Sequence, residues 1–163
     1  MVLSQVRVWI WLEFYMVIPR GVRSNNPGNI DFNSRNAWSG QLGLKEGVAR
    51  PRFARFDSPE NGIRALGKLL INYRDKDGLP GIGGPGIDTV REVVSRWAPG
   101  NENNTEAYIV AVAAKLGVKT NDVIKIKDVR TLRMFVGAII AHECANYRYP
   151  ESVFDEGIRR ALA

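Results

Sequence analysis

The sequence predicts an α+β domain, mostly α-helical with a small β-lobe near its N-terminal end, and three observations predict it. From residue 57 onward, apolar residues recur at helical spacing in successive stretches, most of them opened by a capping residue. Between residues 20 and 56 that periodicity is missing, and short β-compatible pieces alternate with turns rich in Gly and Asn. The chain has 163 residues, 45% of them hydrophobic and 25% charged, which suits one globular body with a real core.

Residues 1–18 are apolar but interrupted by Arg7 and Glu13, and no small-residue cleavage site follows them. A spanning helix needs about 20 apolar residues, so stable membrane insertion is not expected. This stretch reads as an N-terminal extension or first helix, and residues 19–163 as the functional domain. Asn29–Phe32 and Arg52–Phe56 are the β-compatible pieces, suggesting a hairpin-like lobe. Asp57 or Ser58 caps a helix with Pro59 at its first position, along which Ile63, Leu66, Leu69, Leu70 and Tyr73 recur. GLPGIGGPG at 78–86 is too rich in Gly and Pro for regular structure, and it lacks the Lys and Ser/Thr of a phosphate-binding loop. Thr89–Trp97 forms a short helix ended by Pro99 and Gly100. Asn104 or Thr105 opens another that Gly117 closes. Asp128 caps the most apolar helix, which ends near Glu143, and Pro150 opens a final amphipathic one.

Charge and metal-ligand chemistry narrow the function. A net charge of +6 suits an anionic partner, either nucleic acid or the carboxylate-rich bacterial wall. The basic residues are scattered, and no helix-turn-helix or RNA-module signature appears, so nucleic acid is not expected. The chain has one cysteine, Cys144, and one histidine, His142. That excludes an internal disulfide and leaves too few ligands for a zinc peptidase or zinc amidase, so neither metal nor organic cofactor is expected. Two apart on a helix, the pair points in different directions, which argues against a cysteine peptidase.

Glu143 is the candidate acid. It ends the most hydrophobic helix, in AIIAHE at 138–143, with Val136, Ile139 and Ile140 on its face and Tyr147 and Tyr149 after it. A carboxyl beside apolar groups has its charged form disfavoured, and so keeps a proton to donate to a leaving oxygen. Cleavage of a glycosidic bond needs such an acid. A second constellation is RGVRSNNPGNIDF at 20–32, followed by Trp38 and Gln41. Its amides offer donors and acceptors to sugar hydroxyls and acetamides, or else bond their own turns, and Trp38 is a sugar platform or a core aromatic. In RWAPGNENNTEAY at 96–108, Trp97 reads as core, and Tyr108 has a place beside a groove.

With these residues in hand, the chain resembles the lysozyme-like lytic proteins of phage particles and prophages. The resemblance runs from Arg20 to about Ala161. It rests on RGVRSNNPGNI (20–30), Trp38-Ser-Gly, FARFDSPENGIRAL (53–66), RWAPGNENNTEAYI (96–109), AIIAHE (138–143) and the following YPESVFDEGI. The middle segment is also similar to peptidoglycan glucosaminidases, whose catalytic glutamate ends a helix that precedes the Asn-Asn turn. Here Glu13 lies upstream of that turn and Glu143 downstream. The resemblance implies a lysozyme-like fold, circularly permuted, with Glu143 as the catalytic acid and Glu13 the alternative. The chain departs from the family after Glu143, where Cys144 and Ala145 replace the usual Asn-Gly.

The resemblance further implies cleavage of the peptidoglycan glycan strand, as a lytic transglycosylase or muramidase, by a phage or prophage lytic or entry enzyme. Asp31 is the nearest candidate for a second carboxylate. The absence of a more prominent one favours the transglycosylase, which needs a single glutamate. Asn25, Asn26, Asn29, Trp38, Tyr147 and Tyr149 are the expected substrate contacts. The expected partners are peptidoglycan and other virion proteins, with the protein in the virion or acting at the periplasm and wall. Two other classes stay open: a non-catalytic wall-binding or virion structural protein, and a peptidoglycan endopeptidase.

Overall fold

The computed structural model describes residues 18–100 and 104–163, and it is mixed α+β and mostly helical. The reading of residues 1–18, and Glu13 with it, lies outside the described residues save for Ile18. The elements in order are α1 (Arg20–Arg23), β1 (Gln41–Leu44), β2 (Ala54–Phe56), α2 (Pro59–Asn72), α3 (Val90–Trp97), α4 (Thr105–Leu116), α5 (Val129–Glu143) and α6 (Glu151–Leu162). No helix among the described residues is long and apolar enough to cross a membrane.

The helix starts follow the capping rules. Ser58 accepts the Asn61 N–H with Pro59 at the first helical position, and Thr89 and Glu92 form a reciprocal capping box on α3. Asn104 accepts the Ala107 N–H on α4, and Asp128 accepts the Thr131 N–H on α5. Gly117, left-handed at φ 69°, closes α4. The apolar stripes meet in one core in which Ile63, Leu66, Leu70, Ile109, Leu132, Phe135 and Ile139 are fully buried. The most extensive helix contact is α2 on α6, where Gly157 lies against Ile63 and Gly67 against Ala161.

The β-lobe differs in part from the expected hairpin. The two strands pair antiparallel with Gln41 opposite Phe56 and Leu44 opposite Ala54, and an irregularity between Gln41 and Gly43 accommodates an extra residue. Arg52–Phe56 therefore does contribute a strand, but Asn29–Phe32 does not. Asn29 sits in the left-handed region at φ 47°, and extended pairing is confined to a single bridge between Asp31 and Phe53. The partner strand is Gln41–Leu44, whose Gly43 hides its β character. The segment 24–32 lines the free side of β2 all the same: Phe56 N–H donates to Ser24 O, Ala54 N–H to Ile30 O and Phe32 N–H to Arg52 O.

The Gly/Pro-rich stretch 78–86 has no regular structure, as expected, and it is tied down by two acidic residues. Glu92 accepts the Leu79 N–H at 2.8 Å, and the Asp88 carboxylate accepts the Gly84 N–H at 3.2 Å.

Candidate functional site

The site forms where the C-terminal end of α5 meets the Asn-rich turn. Asn26, only 1% exposed, builds that turn. Its amide donates to Ile30 O and Ala54 O at 2.9 and 2.8 Å, while its carbonyl accepts the Ile30 N–H at 2.9 Å. Asn25, left-handed at φ 51°, donates to Phe56 O at 3.1 Å. These two amides are committed to the fold, where a turn in contact with a strand needs its backbone groups satisfied.

Asn29 faces the other way. Its Nδ2 donates to Glu143 Oε2 at 2.9 Å, and its Oδ1 accepts from Arg20 Nε at 3.4 Å. Two motifs far apart in sequence, RGVRSNNPGNIDF and AIIAHE, thus converge in a short chain from Arg20 through Asn29 to Glu143. Two close approaches fix the junction. Buried Cys144 donates its S–H to Pro27 O at 3.3 Å. Gly21 lies so near that a Cβ would come within 2.7 Å of Asn26 O and 2.9 Å of Cys144 Sγ. After Glu143 the chain turns through Ala145 and Asn146, left-handed at φ 50° and 61°, with the Asn146 N–H returned to Ala141 O at 2.8 Å. Cys144, Ala145 and Asn146 thus make this turn.

Glu143 is half-buried and lines a cleft of about 390 Å³ between the β-lobe and the helices. The walls include Arg20, Asn29, Asp31, Arg52, Phe53, Tyr73 and Trp97. Arg20 stacks on the Phe53 ring with its guanidinium carbon 3.9 Å from the centroid, and Arg52 lies over the same ring at 5.2 Å. Asp31 shares the cleft with Glu143, but its Oδ1 is held by Arg52 Nε at 2.7 Å. Burial raises the Tyr73 hydroxyl pKa, and the Arg96 charge partly offsets this.

Asn29, Asp31 and Glu143 are therefore brought together, and the remaining expected contacts are elsewhere. Trp38 is half-buried against the core, away from the cleft walls. Tyr147 and Tyr149 meet edge to face at 4.9 Å and line a different cavity with Ile140 and Phe154, on another side of α5. Tyr108 is buried, stacks on His142 at 4.0 Å, and lines a third cavity. Sequence reasoning missed Arg20, Arg52, Phe53 and Tyr73 as cleft residues and took Trp97 for core alone. The alternation of Arg and Phe in RPRFARF at 50–56 was the available signal for two of these neighbours, Arg52 and Phe53. Among the described residues no cluster of His, Cys, Asp and Glu could hold a metal ion.

Fold and site together define a mostly helical α+β protein with one glutamate, fixed by an asparagine, in a cleft that also holds Arg20, Arg52 and Asp31. Over 136 residues the chain is 38% identical to Protein P5 of Pseudoalteromonas phage PM2, a match spanning 81% of this chain and 76% of the relative. It belongs to the family of that phage protein. No family model matches it.

Proposed function

We propose that this protein cleaves the glycan strand of peptidoglycan, with Glu143 as general acid, as a virion-borne lytic or entry enzyme of a phage. The observation that carries the reading is the Asn29–Glu143 hydrogen bond inside the cleft. It holds one carboxyl oxygen in place, while Oε1 accepts no hydrogen bond from the described residues and can serve a glycosidic oxygen. Kinship with a phage protein supports the virion setting. The permuted lysozyme-like arrangement fits a helix-end glutamate beside an Asn-Asn turn that comes earlier in the chain. Because Asp31 is paired with Arg52, one glutamate serves as acid and then base, which favours transglycosylation over hydrolysis. The muramyl 6-hydroxyl attacks the anomeric carbon as the bridging oxygen takes the Glu143 proton, and Glu143 takes up the proton that hydroxyl loses.

The test is product analysis of purified peptidoglycan after digestion by wild type and by Glu143→Gln. Wild type is expected to release strands with anhydro ends, and the variant to lose on the order of 10³-fold or more in rate at an unchanged melting temperature. A variant that cuts as well as wild type sinks the assignment of Glu143. A second reading is a wall-binding or virion structural component without chemistry. Kinship with a phage protein, taken by itself, supports this reading more directly than it supports catalysis. Wild type that binds walls but releases no glycan fragments would establish it.

A further inference from the structure

Arg20 is a cation with an unusual set of neighbours. Its guanidinium carbon lies over the Phe53 ring at 3.9 Å from the centroid, its Nε donates to Asn29 Oδ1, and no carboxylate of the described residues pairs with it. A guanidinium has five N–H donors in one plane, and stacking holds that plane while leaving its edge available. Other cations crowd the same lobe. Lys45 has its pKa lowered by burial first, then by the charges of Arg23 and Arg20, while Glu46 pairs with Arg55 and Asp31 with Arg52 in the same lobe. Beside Arg20 in the cleft, Arg52 stacks on the same ring while bonding Asp31. A guanidinium held over an aromatic ring in a cleft, with no paired carboxylate among the described residues, is suited to planar recognition of a carboxylate.

We infer that the Arg20 end of the cleft is a carboxylate subsite, binding an acid group carried on the muramyl residue and thereby setting the register of the strand against Glu143. This rests on the proposed substrate and adds to it. A neutral amino-sugar polymer would lack the group, so the subsite distinguishes the wall strand from an uncharged one. The carboxylate is either the lactyl group itself or one on the attached peptide, two sources of one chemistry.

Binding tests the subsite independently of cleavage. Cosedimentation with purified walls is measured in the Glu143→Gln background, so that no turnover occurs, before and after the wall carboxylates are amidated with carbodiimide and an amine. Amidation is expected to weaken binding about tenfold, and Arg20→Gln to do the same on untreated walls, because each removes one charge-assisted pair. In Arg20→Gln, amidation should then have little further effect, the signature of a shared interaction. Arg130→Gln removes an equal charge outside the cleft and should leave the amidation effect intact. Arg20→Lys should restore part of it. If amidation weakens the Arg20→Gln protein as much as its parent, the subsite is overturned, whether or not the wild-type protein cuts. Repeating the comparison on peptide-stripped strands names the source: an effect that persists there belongs to the lactyl carboxylate, and one that vanishes belongs to the peptide.

Discussion

At Glu92 a carboxylate only 2% exposed gathers four hydrogen bonds. Oε1 accepts the Leu79 N–H, and Oε2 accepts the N–H groups of Asp88 and Thr89 together with the Thr89 hydroxyl. Burial pushes the Glu92 pKa up, but the N–H donors of Asp88 and Leu79 and the contacts with Thr89 outweigh it, leaving the value below the ordinary glutamate range. A folded pKa below the unfolded one means that the carboxylate's contribution is complete above the unfolded value, about 4.3. It is lost as pH falls through the folded one. Glu92→Gln presents an amide to the Leu79 N–H and should cost about 1–3 kcal/mol at pH 7. Denaturant unfolding of both proteins should show that gap closing on acidification below about pH 4. A gap independent of pH would mean that shape, not charge, is what the site uses. The capping box that Glu92 completes was absent from the sequence reading, although Thr89 and Glu92 stand at its spacing.

The elements were the most legible layer, because caps and apolar periods are local. The helices starting at Pro59, Val90, Thr105, Val129 and Glu151 lie where Ser58, Thr89, Asn104, Asp128 and Pro150 announce them. The β-lobe was harder to read, since Asn29 abandons extended geometry to reach Glu143 and a strand containing Gly43 carries little β signal. How helices meet is not local either, and glycine decides it in the α2–α6 pair. A Cβ at Gly157 would lie 2.5 Å from Ile63 Cγ2 and 3.2 Å from Glu60 O, so the two helices would have to separate. At Gly137, inside α5, the nearest atom would be Phe154 Cζ at an ordinary 3.7 Å. The same substitution therefore has opposite signs. Gly157→Ala should destabilise by about 1–3 kcal/mol through overpacking. Gly137→Ala should stabilise by about 0.5–1 kcal/mol through helix propensity. Melting temperatures of the two variants decide the matter, and a stable Gly157→Ala would mean that the contact between Gly157 and Ile63 has slack.

Over the whole molecule, the site is assembled from pieces more than a hundred residues apart, as the pairing of Asn29 with Glu143 shows. Sequence could nominate both residues from motif and helix position, yet their meeting depends on how α5 docks against the turn. For the same reason Tyr147 and Tyr149, close to Glu143 in the chain, open on another face, because the left-handed Ala145 and Asn146 carry the backbone away. The joint between α5 and the turn closes over the molecule's sole thiol, that of Cys144, at 0% exposure. Burial first, then the charge of Glu143, pushes that thiol up to about 11. Cys144 is thus a sealed reporter on the seam that joins the two halves of the cleft. A thiol-reactive dye should modify it at least about a hundredfold more slowly than in the unfolded chain, at a rate set by local opening. Each labelled molecule would count one opening of that seam; labelling as fast as in urea would mean the seam stands open.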